Sequence, residues 1–191
     1  MSQNLSAQLK KVTKENHQQL EKLLVTLLKQ VVKREDYVKI LKLFYGYFGA
    51  LEDKINLHVG TAELPDYLLR RKTESIANDI KIMGGVLPSK AKDADLPIIE
   101  NSLQAFGALY VIEGSTLGGK IIHQMMEKKL NLTDNEGISF FKGYGDQTES
   151  KWASFKERLN RQIDIQKASP VIINSANETF LKFKTWIEKN S

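Results

Sequence analysis

The stretch Gly107-Ala108-Leu109-Tyr110-Val111-Ile112-Glu113-Gly114-Ser115-Thr116-Leu117-Gly118-Gly119-Lys120-Ile121-Ile122-His123 decides the fold, because it reads two ways. In the first, Leu109-Tyr110-Val111-Ile112 is a strand and Gly114 to Lys120 is a G-x-x-x-x-G-K phosphate loop, which makes the protein α/β. That reading fails at the next position. Ile121 stands where a Ser or Thr must hold magnesium, no βαβ pattern surrounds the segment, and no apolar strand ending in Asp follows. In the second, the whole stretch is helical, and Gly107, Gly114, Gly118 and Gly119 each cost roughly 1 kcal/mol relative to alanine. Something must offset that penalty. Gly107, Gly114 and Gly118 lie on one side at spacings of seven and four, which allows close helix–helix packing; alternatively, a cofactor lies directly against the backbone, which glycine permits. The two explanations are compatible.

Working outward, the rest of the chain is also helical in period. Residues 6–29 place Leu9, Val12, Leu20, Leu23, Leu24, Leu27 and Leu28 at three- and four-residue spacing. Residues 34–58 repeat the pattern with Tyr37, Ile40, Leu41, Phe44, Tyr45, Phe48, Leu51 and Ile55. Leu64-Pro65-Asp66 predicts a third helix running to Met83 and stopping at Gly84-Gly85. After a polar linker at 86–96, Pro97 opens a stretch to about Leu130, and 132–147 is a turn-rich connection. Helices at about 149–166 and 170–189 complete the chain. The four prolines, at 65, 88, 97 and 170, all fall between these stretches as punctuation. Residues 1–191 therefore read as one all-α domain, a helical bundle of six or seven elements.

Composition removes several function classes. The chain has 191 residues, 41% of them hydrophobic, enough for one buried core. Its lack of cysteine excludes disulfides, thiolate nucleophiles, Cys-ligated zinc, iron–sulfur clusters and thiolate-bound haem. Three histidines make any protein-built metal site sparse. A net charge of +5 attracts anions in general. No block of five or more consecutive basic residues, helix-turn-helix or aromatic platform points to nucleic acid. No signal-like segment or membrane-length apolar run occurs, so a cytoplasmic protein without membrane partners is expected.

A second constellation lies near the N-terminus. On a continuous helix, Lys10, Thr13, Lys14, His17 and Glu21 share one face, where the apolar stripe meets the polar one. One reading makes His17 a half-buried residue bonded to Glu21, with solvated lysines beside it. The other makes the imidazole a ligand for a flat, apolar metal complex with anionic tails, such as haem, whose propionates Lys10 and Lys14 reach. His58 and His123, near helix ends, are expected to be surface or capping residues, and Trp152 and Trp186 to be core. Glu52 and Glu113 fit helix–helix hydrogen bonds as well as chemistry.

Three stretches together resemble the haem oxygenases, and more narrowly their bacterial, bacteriophytochrome-associated, biliverdin-producing branch. They are Leu9 to Glu21 (Leu-Lys-Lys-Val-Thr-Lys-Glu-Asn-His-Gln-Gln-Leu-Glu), the aromatic run Tyr37 to Glu52, and Leu109 to Gly119, with weaker echoes at Phe155 to Arg158 and Phe180 to Phe183. The resemblance implies a haem-oxygenase-like bundle that cleaves haem to biliverdin, carbon monoxide and ferrous iron. Dioxygen and electrons from an external reductase or ferredoxin would drive it, with a bilin-binding photoreceptor as a downstream partner. It implies His17 as the iron ligand, with Lys10, Thr13, Lys14, Lys156 and Phe180 among the haem contacts. Gly114, Ser115 and Gly118 would form the catalytic distal helix, whose backbone steers dioxygen toward a meso carbon. The sequence departs from animal members, which carry aspartate where Ser115 stands; Phe48 and Phe183 also replace polar positions. The altered polar set motivates an alternative, a non-catalytic haem-binding or carrier protein of the same fold.

Overall fold

The computed structural model describes residues 4–133, 136–161 and 165–191. Its helices are α1 (Leu5–Val12), α2 (Lys14–Gln30), α3 (Arg34–Asn56), α4 (Glu74–Ile82), α5 (Ser102–Leu130), α6 (Ser139–Lys142), α7 (Thr148–Asn160) and α8 (Ile165–Asn190), and no strand occurs among the described residues.

α5 is the central rod. Its first half, Ala105 to Glu113, is buried on every side, as befits a helix enclosed by others. The Asn101 side chain accepts from the Gln104 amide at its start, and Asn131 closes it in the left-handed conformation at φ 50°. α5 therefore begins at Ser102, five residues after the expected Pro97. α8 packs along it, and α3 and α8 meet α6 in an aromatic cluster. Within that cluster Phe183 stacks on Tyr47 at 4.7 Å and packs on Phe44 and Phe48 at 5.1 and 4.9 Å. Phe48 and Phe183 are thus core residues, 1% exposed each.

The remaining departures from the sequence reading have local causes. The opening helix is two helices that meet at Thr13, whose hydroxyl donates to the Leu9 carbonyl at 2.8 Å; such back-bonding bends helices. The third helix is confined to α4, preceded by a 3-10 turn at Tyr67–Leu69. Residues 70–73 are drawn out of helix by inward bonds: Arg70 reaches Glu113, Arg71 reaches Ser115, and the Thr73 amide donates to Glu52 at 2.7 Å. The 132–147 connection contains α6, whose N-terminal amides at Ser139 and Phe140 donate to the buried Asp79 carboxylate at 3.1 and 2.8 Å. Pro170 lies inside α8, which begins at Ile165. α7 ends at Asn160, and residues 162–164 of the expected 149–166 helix lie outside the described residues.

Candidate functional site

α2 and α5 run parallel and are tied at both ends. At one end the Tyr110 hydroxyl, raised above its ordinary value by burial, reaches the Thr13 side chain. At the other, the Lys129 ammonium donates to the carbonyls of Leu28, Lys29 and Val31 at 3.3, 2.8 and 3.1 Å, capping the C-terminus of α2. About 20 Å of helix separates the two ties. One turn beyond the Thr13–Tyr110 contact, on the same faces, α2 presents His17 and α5 presents Gly114.

That face of α5 is bare at Gly114 and Gly118. A Cβ at Gly118 would meet nothing within 4 Å, and one at Gly114 would meet only the Trp152 ring, at 3.7 Å or more. Leu117 and Ile121, beside them, are 41% and 65% exposed. Across from them His17 has a side chain 49% exposed. Its ring stands edge-on to Phe180 of α8, centroids 5.4 Å apart and planes at 79°. Nδ1 lies 3.5 Å from the Glu21 carboxylate, an arrangement that leaves Nε2 as the free ring nitrogen. The space between α2 and α5, with Phe180 edge-on to the imidazole, is the candidate slot.

Lys10 lies in the last turn of α1 and Lys14 opens α2, both exposed, so two cations flank the Thr13 corner of the slot. Lys156 sits 5.7 Å over the Trp152 ring, which packs 5.4 Å from Tyr110. It therefore stands at the same end, on the α5 side. Thr13 is not a wall: it is 2% exposed and forms the closed end of the slot. Trp152, expected in the core, is half-buried and borders Gly114. His123 is not a surface residue. It is 9% exposed, with Nδ1 3.1 Å from the Ile138 carbonyl.

Ser115 does not look into the slot. Its hydroxyl donates to the Ile112 carbonyl at 2.6 Å and accepts from Arg71 at 2.8 Å, so its proton is committed behind α5. Sequence reasoning passed over the network it joins. Arg70 binds Glu113 at 2.6 Å, with side chains 1% and 2% exposed, and Tyr144 donates to the same carboxylate at 3.0 Å. Burial pushes the Arg71 guanidinium down to about 10, with Glu113, Tyr144 and Glu52 opposing that shift, so it remains charged at neutral pH. Two arginines following Tyr67-Leu68-Leu69 carry no local signal of burial; only the fold turns them inward.

The stripe of small residues also divides. Gly107 is held against α8, where a Cβ would come within 2.5 Å of the Ile172 carbonyl, and Gly119 against α6, where one would come within 2.8 Å of the Phe141 carbonyl. Gly114 and Gly118 have no such neighbour. Helix packing thus explains two of the glycines, and open space accounts for the other two.

The donor set fits a flat metal complex that brings its own ligands. Among the described residues no group of three or more His, Cys, Asp or Glu side chains is placed to hold a metal ion. A single imidazole, an apolar bare-backbone wall and cations at one end remain, which is what a porphyrin with acidic tails requires. An all-α bundle with such a slot defines a class of protein shaped around a planar ligand.

Comparison with known proteins narrows that class. A family model described as heme oxygenase matches residues 3–189. Similar proteins include a heme oxygenase of Xanthomonas campestris pv. campestris (strain 8004), 25% identical over 158 residues, covering 81% of this chain and 90% of that one. A heme oxygenase of Rhodella violacea is 26% identical over 210 residues, covering 98% and 88%. The solved NO- and CO-bound heme oxygenase from Neisseria meningitidis has the same fold, with a TM-score of 0.82 at 24% identity, covering 98% of this chain and 92% of that chain. This chain belongs to the haem oxygenase family.

Proposed function

We propose that the protein binds haem between α2 and α5 and cleaves it oxidatively to biliverdin, carbon monoxide and ferrous iron. The observation that carries this reading is the pairing of a half-exposed imidazole with an opposing helix face stripped of side chains at Gly114 and Gly118. Haem supplies the iron at which dioxygen is reduced and is itself the molecule opened.

His17 would hold the haem iron through its imidazole, and the Glu21 carboxylate, 3.5 Å from Nδ1, would favour the ligand role of Nε2. Phe180 supports the imidazole edge. Lys10 and Lys14 neutralise propionates at the Thr13 end, and Lys156 does so from the α5 side. Gly114 and Gly118 let the ligand approach the α5 backbone, and Leu117 and Ile121 exclude water once covered. Electrons come from a separate reductase or ferredoxin, for which a net charge of +5 favours an acidic partner. A bilin-binding photoreceptor would consume the product, as in the bacterial branch the sequence resembles.

One observation favours a second reading, a haem carrier of the same fold: the Ser115 hydroxyl faces Arg71 and not the slot. Titration with hemin followed by ascorbate or a reductase in air separates the two. Loss of the Soret band with growth of a broad red verdin absorption supports the enzyme; a stable haem spectrum supports the carrier. His17→Ala should remove the axial imidazole signature from EPR and resonance Raman spectra. It should lower turnover by about 100-fold or more, since indirect partners of such a ligand are already worth about 10- to 100-fold. An unaltered spectrum would assign the iron to another residue.

A further inference from the structure

The segment of α5 that borders the slot is poorly equipped to hold its own shape. Gly114, Gly118 and Gly119 weaken the helix. The hydroxyls of Ser115 and Thr116 donate to the carbonyls of Ile112 and Glu113, each at 2.6 Å, in competition with the helical ladder. On the slot side nothing approaches the Cβ position of Gly118. Support comes from behind, at residues 70 and 71. Nη2 of Arg71 donates to the Ile112 carbonyl at 3.0 Å and to Ser115 Oγ at 2.8 Å, and Nη1 donates to the Phe140 carbonyl at 3.2 Å. Its guanidinium carbon lies 4.0 Å from the centre of the Phe140 ring. Its Nε is buried without a hydrogen-bond partner, a penalty that the contacts at Nη1 and Nη2 must outweigh. The neighbouring Arg70 grips Glu113, the residue before Gly114, and is anchored by Asp66 at 3.0 Å, Ser154 at 3.0 Å and the Lys151 carbonyl at 3.1 Å. Two consecutive guanidiniums therefore hold residues 112, 113 and 115 around the open glycine.

We propose that Arg71, assisted by Arg70 through Glu113, is a positioning residue that sets the path of α5 at Gly114 and thereby the distance of the bare backbone from the bound ligand. The haem arm of its test rests on the functional reading above; the backbone arm does not.

Amide hydrogen exchange of the haem-free chain tests the backbone arm. Arg71→Met should raise exchange at residues 115–119 by about tenfold or more, as expected for loss of charged hydrogen bonds to a helix, while α3 amides at 46–51 stay protected. Arg71→Lys, which keeps the charge but not the fork, should fall between Met and parent. Ser115→Ala removes one acceptor of Arg71 but also the hydroxyl that competes with the ladder, so of the three variants it should raise exchange least. It also keeps the test open if the arginine variants fail to fold. In the haem arm, folded variants with parental urea midpoints should keep the axial imidazole spectrum and hemin affinity within about threefold, while the proportions of biliverdin isomers change. Parental exchange at 115–119 in Arg71→Met, or raised exchange with unchanged isomer proportions, overturns the proposal. If the parent takes up no hemin, the functional reading fails, and exchange alone then decides whether Arg71 holds α5.

Discussion

Gly107 and Gly119 on one hand, and Gly114 and Gly118 on the other, are the same residue on the same helix serving opposite needs. The first pair is crowded: backbone atoms of α8 and α6 occupy the space a Cβ would need. The second pair has room for side chains and lacks them. Where a glycine is crowded, fold stability accounts for it. Where it is open, stability would be better served by alanine, and the reason must lie in what enters the slot.

Substitution can break this contrast. The largest effect on stability is expected at the crowded position: Gly107→Ala should cost about 3 kcal/mol in urea unfolding, because the Ile172 carbonyl and the Ala176 amide belong to a helix backbone and cannot turn aside. Next comes Gly114→Leu, which should leave the fold intact and hemin uptake little changed. Verdin formation should fall by about 10- to 100-fold, or roughly 1.4 to 2.7 kcal/mol of barrier. Equal turnover in mutant and parent would remove Gly114 from the distal face. Gly118→Ala should act in the opposite direction to Gly107→Ala, raising the free energy of urea unfolding by up to about 1 kcal/mol, since nothing lies within 4 Å of the new methyl group. A destabilised Gly118→Ala would show that the slot face is not open.

The smallest effect concerns the anchor behind α5. Burial alone would raise the Asp66 carboxyl, but hydrogen bonds from Lys151 and Arg70 outweigh it and hold the group below its ordinary value. Its ion pairs thus add stability that is complete above the ordinary value, about 3.9, and is lost as pH falls through the lowered one. Between about pH 4 and pH 3 the parent should lose urea stability faster than Asp66→Asn. Identical slopes would remove Asp66 from the brace.

Most of the helices were legible because apolar period is a local property: α3 and α5 follow residues such as Phe44, Leu51 and Tyr110 directly. The third helix was misread for the same reason. Pro65 and the polar pattern after it satisfy helix rules, while the long-range bonds of Arg70, Arg71 and Thr73 that unwind the segment leave no periodic trace. At the proposed site, residue type and spacing single out His17, Lys10, Lys14, Gly114 and Gly118. They do not single out Trp152, because its indole follows a core-like period and borders Gly114 only through the packing of α7. The direction of the Ser115 hydroxyl is not legible in the sequence, because a hydroxyl turns toward whichever partner the fold supplies, here Arg71.

The amino-acid order alone determined that this chain is helical, and it excluded thiolate chemistry. Those properties depend on residue identity and on neighbours three or four positions away. Tertiary structure decided which glycines are crowded and which are bare, that two arginines lie behind α5, and that α2 and α5 are tied at Tyr110 and Lys129. These depend on contacts between residues tens of positions apart, whose geometry no local spacing encodes.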